Sequence, residues 1–307
     1  MAERDPLTPT LSPGGAEGAE RVRGGAGVTG GAPGRWRRAA RSRLFLAACA
    51  TLAALVAAGL LADWIAPYPP TAVDALSMFR GPSAAHPLGT DRFGRDLLSR
   101  VLFGVRVSLG IAGAAIGMAA GAGSLLGLAA GLGRGVDQLL GRVMDVFFAF
   151  PPILLAIGIA AVLGAGPGTA IVAITVVYAP LFFRVVRGSV LAESAEVYVE
   201  AAEALGLGRA AILVRHILPN VISPIVVQTA VCLSYGILIE SALSYLGVGV
   251  QPPTPSWGTI LNEGKEFLAL APWVSLFPGG AIMLSVLAFN IIGDGLRDAL
   301  DPRSGIA

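Results

Sequence analysis

The sequence predicts an all-α membrane protein with six transmembrane helices, on the basis of its composition, its uncharged runs and its arginine distribution. Of the 307 residues, 54% are hydrophobic and 14% are charged, whereas an average soluble domain has about 25% charged residues. The mean hydropathy is +0.72. A chain this apolar could not cover a water-facing surface with polar groups, so we expect lipid as its solvent. The net charge of +2 gives no reason to expect nucleic acid as a partner.

The N-terminal region divides into a polar tail and a first membrane helix. Residues 1–34 are rich in Gly, Ala and Pro without an apolar period, which predicts a disordered cytoplasmic tail. The run Leu44–Ala62 carries no charge and has about the length that a lipid-spanning helix needs. We therefore expect residues 35–99 to contain the first transmembrane helix and a loop on the far side of the membrane.

Five further apolar runs complete the predicted six spans. Gly and Pro within these runs are compatible with membrane helices. Pro151 and Pro152 should kink the third span or mark its start, because proline disrupts helical hydrogen bonding. The predicted second to sixth spans are Val107–Leu132, Val143–Gly164, Thr169–Phe183, Val221–Val248 and Trp273–Ile292.

Arginine residues near the span ends predict the orientation. Loops on the cytoplasmic side of a membrane carry an excess of Lys and Arg. If both termini are cytoplasmic, the inside segments contain most of these arginines, and two of the three outside segments contain only Lys265. The first outside loop is an exception, since its five arginines are only partly balanced by four aspartates. The prediction is a multi-pass membrane protein with both termini on the cytoplasmic side.

Two polar residues lie deep in the predicted spans. Glu240 could line a solute path, or it could bond the hydroxyls of Ser241 and Ser244 in a helix contact, and the sequence leaves both interpretations open. Asn290 is expected to form a hydrogen bond between helices.

The remaining polar groups give no pattern typical of an enzyme. Asp145 lies at the cytoplasmic edge of the third span, where Arg142 is one helical turn away and could pair with it. His86 lies outside the membrane and is expected to be structural, and Cys49 and Cys232 are expected to be small apolar fillers. We expect no catalytic residues, no metal site and no cofactor.

The inside segment between the fourth and fifth spans has the pattern of an amphipathic hairpin. One face of a helix would carry Leu191, Ala195, Tyr198, Ala202 and Leu205. Another face would carry Glu193, Glu196, Glu200 and Glu203. Gly206 and Gly208 should break this helix, and a second helical stretch from Arg209 should end at Pro219. The hairpin could dock a cytoplasmic protein or lie on lipid headgroups, but anionic headgroups would repel its acidic face, which favours a protein.

Motifs in this hairpin resemble a known family of transport proteins. The string Glu200-Ala201-Ala202, followed by Gly206 and by Ile217-Leu218-Pro219-Asn220, resembles the EAA loop of ABC-importer permeases. Two further stretches resemble the second permease subunit of the dipeptide, oligopeptide and nickel importers. They are the string from His86 to Asp96 and the string from Gln251 to Gly258. The resemblance covers residues 40–303.

The resemblance implies the transmembrane-domain fold of type I ABC importers, with a permease core over residues 100–303 and a coupling segment over 191–219. Implied coupling residues are Glu200, Ala201, Ala202, Gly206, Ile217, Leu218 and Pro219. Implied partners are a second permease subunit, two ATP-binding cassette subunits that hydrolyse ATP, an extracytoplasmic solute-binding protein and membrane lipid. The chain itself would not be an enzyme.

Two other function classes remain open at this stage. An ion-coupled secondary transporter needs ionisable groups within the membrane, and Glu240 is the best candidate for such a group. An intramembrane enzyme would need clustered His, Asp or Ser, and the chain contains only two histidines. The sequence leaves the solute open among dipeptides, longer peptides, nickel chelates and glutathione-like compounds.

Overall fold

A computed structural model describes residues 42–300, which form eleven α-helices and, within this range, no β-strand. The predicted tail, residues 1–34, lies outside the described residues. A long loop joins the second and third helices, and a π-helical turn, Leu213–Ile217, joins the eighth and ninth. The helices are α1 Arg43–Leu60, α2 Ala62–Ile65, α3 Leu97–Ala130, α4 Arg134–Phe148, α5 Pro152–Leu163, α6 Pro167–Glu193, α7 Val197–Ala204, α8 Arg209–Ile212, α9 Leu218–Tyr245, α10 Trp257–Gly264 and α11 Trp273–Leu300.

Five helical segments are long and apolar enough to cross a membrane: α1, α3, α6, α8 together with α9, and α11. The predicted total of six is reached when α4 and α5 are counted together as one bent span. The helices extend beyond the predicted runs into charged sequence. For example, α3 begins at Leu97 because Asp96 caps it by accepting a hydrogen bond from the Ser99 N–H at 2.8 Å.

The third predicted span is not one continuous helix. α4 and α5 are bent by 90° relative to each other, and the break lies at Ala149–Pro151. Proline lacks an N–H and disfavours helical backbone in the preceding residue, so this break confirms the expected effect of Pro151 and Pro152. The 12 residues of α5 extend over only about 18 Å, which is shorter than a hydrocarbon core of about 30 Å.

The centre of the bundle is formed by α3, α6 and α9. α3 and α6 approach closely because α3 carries glycine at the contact: a Cβ at Gly123 would lie 2.3 Å from the Ala179 carbonyl oxygen. Small residues at membrane helix interfaces allow such close packing. Asn290 of α11 accepts a hydrogen bond from Ser234 Oγ of α9 at 3.3 Å, which is the interhelical contact expected from the sequence.

Candidate coupling hairpin

The hairpin between α6 and α9 differs from the single amphipathic helix that the sequence predicted for residues 191–205. α6 continues to Glu193, a turn follows at Ser194–Glu196, and α7 begins only at Val197. Glu196 adopts an extended backbone, which separates the two helices. Leu191 and Glu193 therefore belong to the membrane helix α6.

The predicted apolar face of the hairpin is correct only in part. α7 buries Val199 and Ala202, whereas Leu205 is 81% exposed and Val197 is 77% exposed. Only Ala202 of the five residues assigned to that face is buried. The 3.6-residue period correctly predicted a helix. Because α7 begins only at Val197, its buried residues are Val199 and Ala202 and not Tyr198 or Leu205.

Buried residues of the hairpin pack into one apolar cluster with residues from the C-terminal part of α6 and the start of α9. The cluster contains Val186, Val190, Val199, Ala202, Ile212, Leu213, Ile217 and Val221. Among the predicted coupling residues, Ala202 and Ile217 lie in this cluster, and Leu218 is half-buried. The others are exposed: Glu200, Ala201, Gly206 and Pro219. The coupling motif therefore has an inward half that fixes the hairpin and an outward half that is free to contact another molecule.

Gly206 ends α7 in the left-handed region of the Ramachandran map. Its φ is +78°, and its N–H donates to the Glu203 carbonyl at 2.9 Å, while the Leu207 N–H donates to the Ala202 carbonyl at 3.2 Å. A residue with a Cβ is strained in this conformation. No atom lies within 4 Å of a Cβ built at Gly206, so the requirement for glycine comes from the backbone alone. Gly208, with φ of −67°, has no such requirement.

Pro219 does not end the second helical stretch. α8, the π turn and α9 form one helix from Arg209 to Tyr245. The Leu218 N–H donates to the carbonyl of Leu213, five residues earlier. This wider turn accommodates Pro219, because a proline ring would clash with a carbonyl four residues earlier in a regular α-helix.

Two sets of hydrogen bonds attach the hairpin to the membrane helices. Arg209 Nε donates to the carbonyl of Gly131, just after the end of α3, at 2.9 Å. Glu193, Tyr198 and Asn220 form a second set, which we call the clasp. Tyr198 Oη donates to Glu193 Oε2 at 2.5 Å, and Asn220 Nδ2 donates to Tyr198 Oη at 3.1 Å. The clasp joins the end of α6, the start of α7 and the start of α9.

The hydroxyl of Tyr198 is a hydrogen-bond donor at neutral pH, because a phenol ordinarily ionises only at about pH 10. Desolvation and the hydrogen bond to Glu193 raise the pKa of Tyr198 further above its ordinary value. The sequence pattern placed Tyr198 and Glu193 on two different faces of one helix. It missed their contact because the break after α6 changes their relative position.

A buried group of four charges joins the long first loop to two helices, and we call it the loop charge cluster: Asp91 and Arg95 of the loop, Arg100 of α3 and Glu263 of α10. Arg95 Nε lies 2.7 Å from Asp91 Oδ2, and Arg95 Nη2 lies 2.6 Å from Glu263 Oε2. Arg100 contacts both carboxylates, with 2.6 Å to Glu263 Oε2. Each side chain is at most 6% exposed. The cluster therefore joins the string His86–Asp96 to α10, a helix that begins within the other string of the resemblance, Gln251–Gly258.

α10 is fixed to the bundle at several further points. The Trp257 N–H donates to Ser108 Oγ of α3 at 3.1 Å, and its indole N–H donates to the Val101 carbonyl at 3.3 Å. A Cβ at Gly258 would lie 2.3 Å from the Ser241 carbonyl oxygen. His86, which the sequence predicted to be structural, contacts Asp96 at 2.9 Å.

Glu240 lies in a fully buried group of serine hydroxyls between α3, α9 and α10. Its carboxyl group accepts a hydrogen bond from Ser244 Oγ at 2.9 Å and a longer one from Ser241 Oγ at 3.4 Å. The hydroxyls of Ser108 and Ser256 also lie close to it. These contacts favour the helix-contact interpretation of Glu240 over the solute-path interpretation.

The acidic residues of α4 pair with α6 rather than within their own helix. Asp145 lies 3.9 Å from Arg184 and not in an ion pair with Arg142, as the sequence had suggested. Asp137 forms a two-point pair with Arg187, with 2.8 Å from Arg187 Nη2 to Asp137 Oδ2. The break at Pro151 places α4 beside α6, a neighbour that sequence spacing within one helix could not reveal.

Comparison with known proteins agrees with this arrangement. Residues 122–305 match the family described as the inner membrane component of binding-protein-dependent transport systems. Residues 34–82 match the N-terminal transmembrane domain of oligopeptide transport permease C.

Similar chains are transport permeases. A candidate peptide transport system permease protein of Brucella suis is 46% identical over 267 residues, which cover 87% of this chain and 90% of that protein. The glutathione transport system permease protein GsiD of Escherichia coli is 44% identical over 275 residues, covering 87% of this chain and 89% of that protein.

A solved structure supports the fold. The inward-facing methionine ABC transporter MetNI matches with a TM-score of 0.56 at 18% identity, covering 66% of this chain and 96% of that chain. Together these similarities favour an ATP-driven importer over an ion-coupled secondary transporter. The chain belongs to the family of multi-pass inner-membrane permease subunits of binding-protein-dependent transport systems.

Proposed function

We propose that this chain forms part of the path for peptides or related small solutes and couples that path to ATP hydrolysis through the hairpin. The observation that carries the proposal is the two-sided hairpin. Ala202 and Ile217 are buried against α6 and α9, while Glu200, Ala201 and Leu205 are exposed. A partner that grips the exposed side would therefore move the membrane helices directly.

Membership of this family implies ATPase and solute-binding partners. We propose a complex with a second permease subunit, two ATPase subunits in which ATP is hydrolysed, and an extracytoplasmic binding protein. Both termini and the hairpin would lie in the cytoplasm, as the arginine distribution indicates. The relatives named for peptide and glutathione transport support a solute with a peptide backbone.

The mechanism follows from the rigidity of the hairpin. ATPase closure and opening would bias an equilibrium between inward-open and outward-open states. The motion passes from α7 to three membrane helices at once, through the clasp to α6 and α9 and through Arg209 to the end of α3. A hairpin attached to one helix only would transmit less of this motion.

The experiment compares two glycines that are two residues apart. Gly206→Asp forces a side chain into a left-handed backbone conformation, whereas Gly208→Asp keeps an ordinary φ, and both sites have open space around them. We expect the complex with Gly206→Asp to reach the membrane and hydrolyse ATP while uptake into reconstituted vesicles falls strongly. Gly208→Asp serves as the matched control and should transport nearly normally. Unchanged uptake with Gly206→Asp would remove the coupling role.

The solute class is tested on the partner that first captures it. Binding measurements on the cognate binding protein, with dipeptides, longer peptides, glutathione and nickel chelates as probes, would distinguish the candidates. Binding of a peptide-like compound supports the proposal. Binding of the nickel chelate alone would contradict it.

A further inference from the structure

A cavity of about 250 Å³ lies between α4 and the end of α6, on the same side of the bundle as the hairpin. Its polar wall contains Arg142, Arg184 and Arg187, together with Asp137 and Asp145. Its apolar wall includes Met144, Phe148 and Phe183. A cavity with both walls fits a ligand that is itself charged at one end and apolar at the other.

The arginines of the cavity are not all neutralised by the chain. Asp137 neutralises Arg187, because both of its carboxylate oxygens accept hydrogen bonds from that guanidinium. Arg184 has only a long contact of 3.9 Å with Asp145, and its guanidinium stacks at 3.7 Å on the Phe148 ring. Within residues 42–300, Arg142 has no carboxylate within ion-pair distance. Three arginines against two aspartates leave one positive charge, and Arg142 and Arg184 are available to an anion.

The sequence on both walls places the cavity at the edge of the apolar zone. α6 carries no charged residue from Pro167 to Phe183, and Arg184 is the first charge that follows. α4 is amphipathic, and its apolar residues Leu139, Val143 and Val146 are exposed on the side that does not line the cavity. A helix with this pattern lies along a membrane surface with its apolar side toward the acyl chains.

We propose that this cavity binds the phosphate of an anionic phospholipid headgroup, with Arg142 and Arg184 as its two main contacts. Basic pockets between membrane helices on the cytoplasmic side are suited to such headgroups. Inorganic phosphate offers the same charge, but it has no acyl chains to cover the exposed apolar side of α4. This inference rests on the proposed function, because it takes the hairpin side of the bundle to be cytoplasmic.

The test uses the complete transporter, purified with its partners and reconstituted with phosphatidylglycerol and phosphatidylcholine. Native mass spectrometry reports the phosphatidylglycerol that remains bound after detergent exchange. We expect about fivefold lower retention in Arg142→Gln or Arg184→Gln, and about thirtyfold lower retention in the double variant. Arg142→Lys, which keeps the charge, should retain more lipid than Arg142→Gln. Arg134→Gln changes an exposed arginine of α4 outside the cavity lining and should retain as much as the unchanged protein.

Three outcomes would overturn the proposal. Equal retention in the double variant would show that the lipid binds elsewhere, and displacement of the lipid by millimolar inorganic phosphate would identify free phosphate as the ligand. Cross-linking of position 142 to the second permease subunit, with no lipid retained in the unchanged protein, would identify a protein contact. Uptake is measured on the same samples: equal lipid retention in the double variant together with normal uptake rejects the lipid site alone, whereas failure of the Gly206 comparison rejects the coupling proposal.

Discussion

The loop charge cluster and the hairpin are stabilised in opposite ways. At the cluster, Arg100 and Glu263 are buried and join the first loop, α3 and α10 through ion pairs. At the hairpin, a small apolar cluster and the clasp hold α7, and most of its surface is exposed. A buried ionic network tolerates little rearrangement, because each separated charge would be left without a partner in a low-dielectric environment.

This difference suggests a division of labour between the two ends. The end with the charge cluster is a fixed platform that keeps α10 and the first loop in one position. The hairpin is attached to three membrane helices and has an exposed outward surface, which suits an element that a partner moves. Altering each end should therefore have different consequences: loss of stability at the cluster, and loss of coupling at the hairpin.

The largest expected effect is at Arg100. Among the described residues, Arg100→Met leaves Asp91 and Glu263 buried with Arg95 as their one charged partner, and breaking a buried ion pair costs about 3–5 kcal/mol. We expect a large fall in the unfolding free energy of the solubilised protein and little mature protein in the membrane. Asp63→Asn is the control, because it removes the charge of Asp63 from an exposed pair with Arg106 that contributes less than about 1 kcal/mol. Equal stability of the two variants would contradict the platform interpretation.

A smaller effect is expected at Glu240. Glu240→Ala leaves the Ser244 hydroxyl without its acceptor, at a cost of about 1–3 kcal/mol, whereas Glu240→Gln keeps one acceptor oxygen and most of the volume. If Glu240 is a helix contact, both variants should transport normally per folded molecule, with Glu240→Ala the less stable. Loss of transport in a well-folded Glu240→Gln protein would instead assign the carboxylate to the solute path.

The smallest effect on stability is expected at the clasp. Tyr198→Phe removes the two hydrogen bonds of the Tyr198 hydroxyl, which together contribute about 1 kcal/mol because both are exposed to solvent. Because the clasp joins α7 to two membrane helices, we expect the ratio of solute transported to ATP hydrolysed to fall while the protein remains folded. Tyr245→Phe removes a hydroxyl at similar exposure from the other end of α9 and should leave that ratio unchanged. A normal ratio in Tyr198→Phe would show that the clasp does not transmit motion.

Sequence patterns predicted the helices better than their breaks. Uncharged runs located the membrane helices because lipid imposes a strong compositional constraint on them. The helix ends were less predictable, since α3 begins at a cap, Asp96, and α6 continues through Arg184 and Arg187. Pro151 was expected to kink the third span or mark its start. The 90° angle between α4 and α5 was not predictable, because it depends on packing as well as on the proline.

Contacts between distant segments were beyond a single sequence. Nothing in the spacing of Arg100 and Glu263 indicates that they meet, because they are separated by 163 positions. The candidate coupling residues could be proposed from the sequence because the motif around Glu200 and Gly206 is local. The sequence does not show that Ala202 is buried and Glu200 exposed, because this depends on how the hairpin packs against α6.

The central claim, that an ATPase grips the exposed side of the hairpin, is tested most directly by cross-linking. A photoreactive residue replaces Leu205 in the assembled transporter, and a second variant carries it at Val162 of α5, which is equally exposed at 84% against 81%. We predict that position 205 cross-links to the ATPase subunit with a yield that changes on ATP binding, and that position 162 does not cross-link to it. Cross-linking of position 205 to lipid alone would contradict the account.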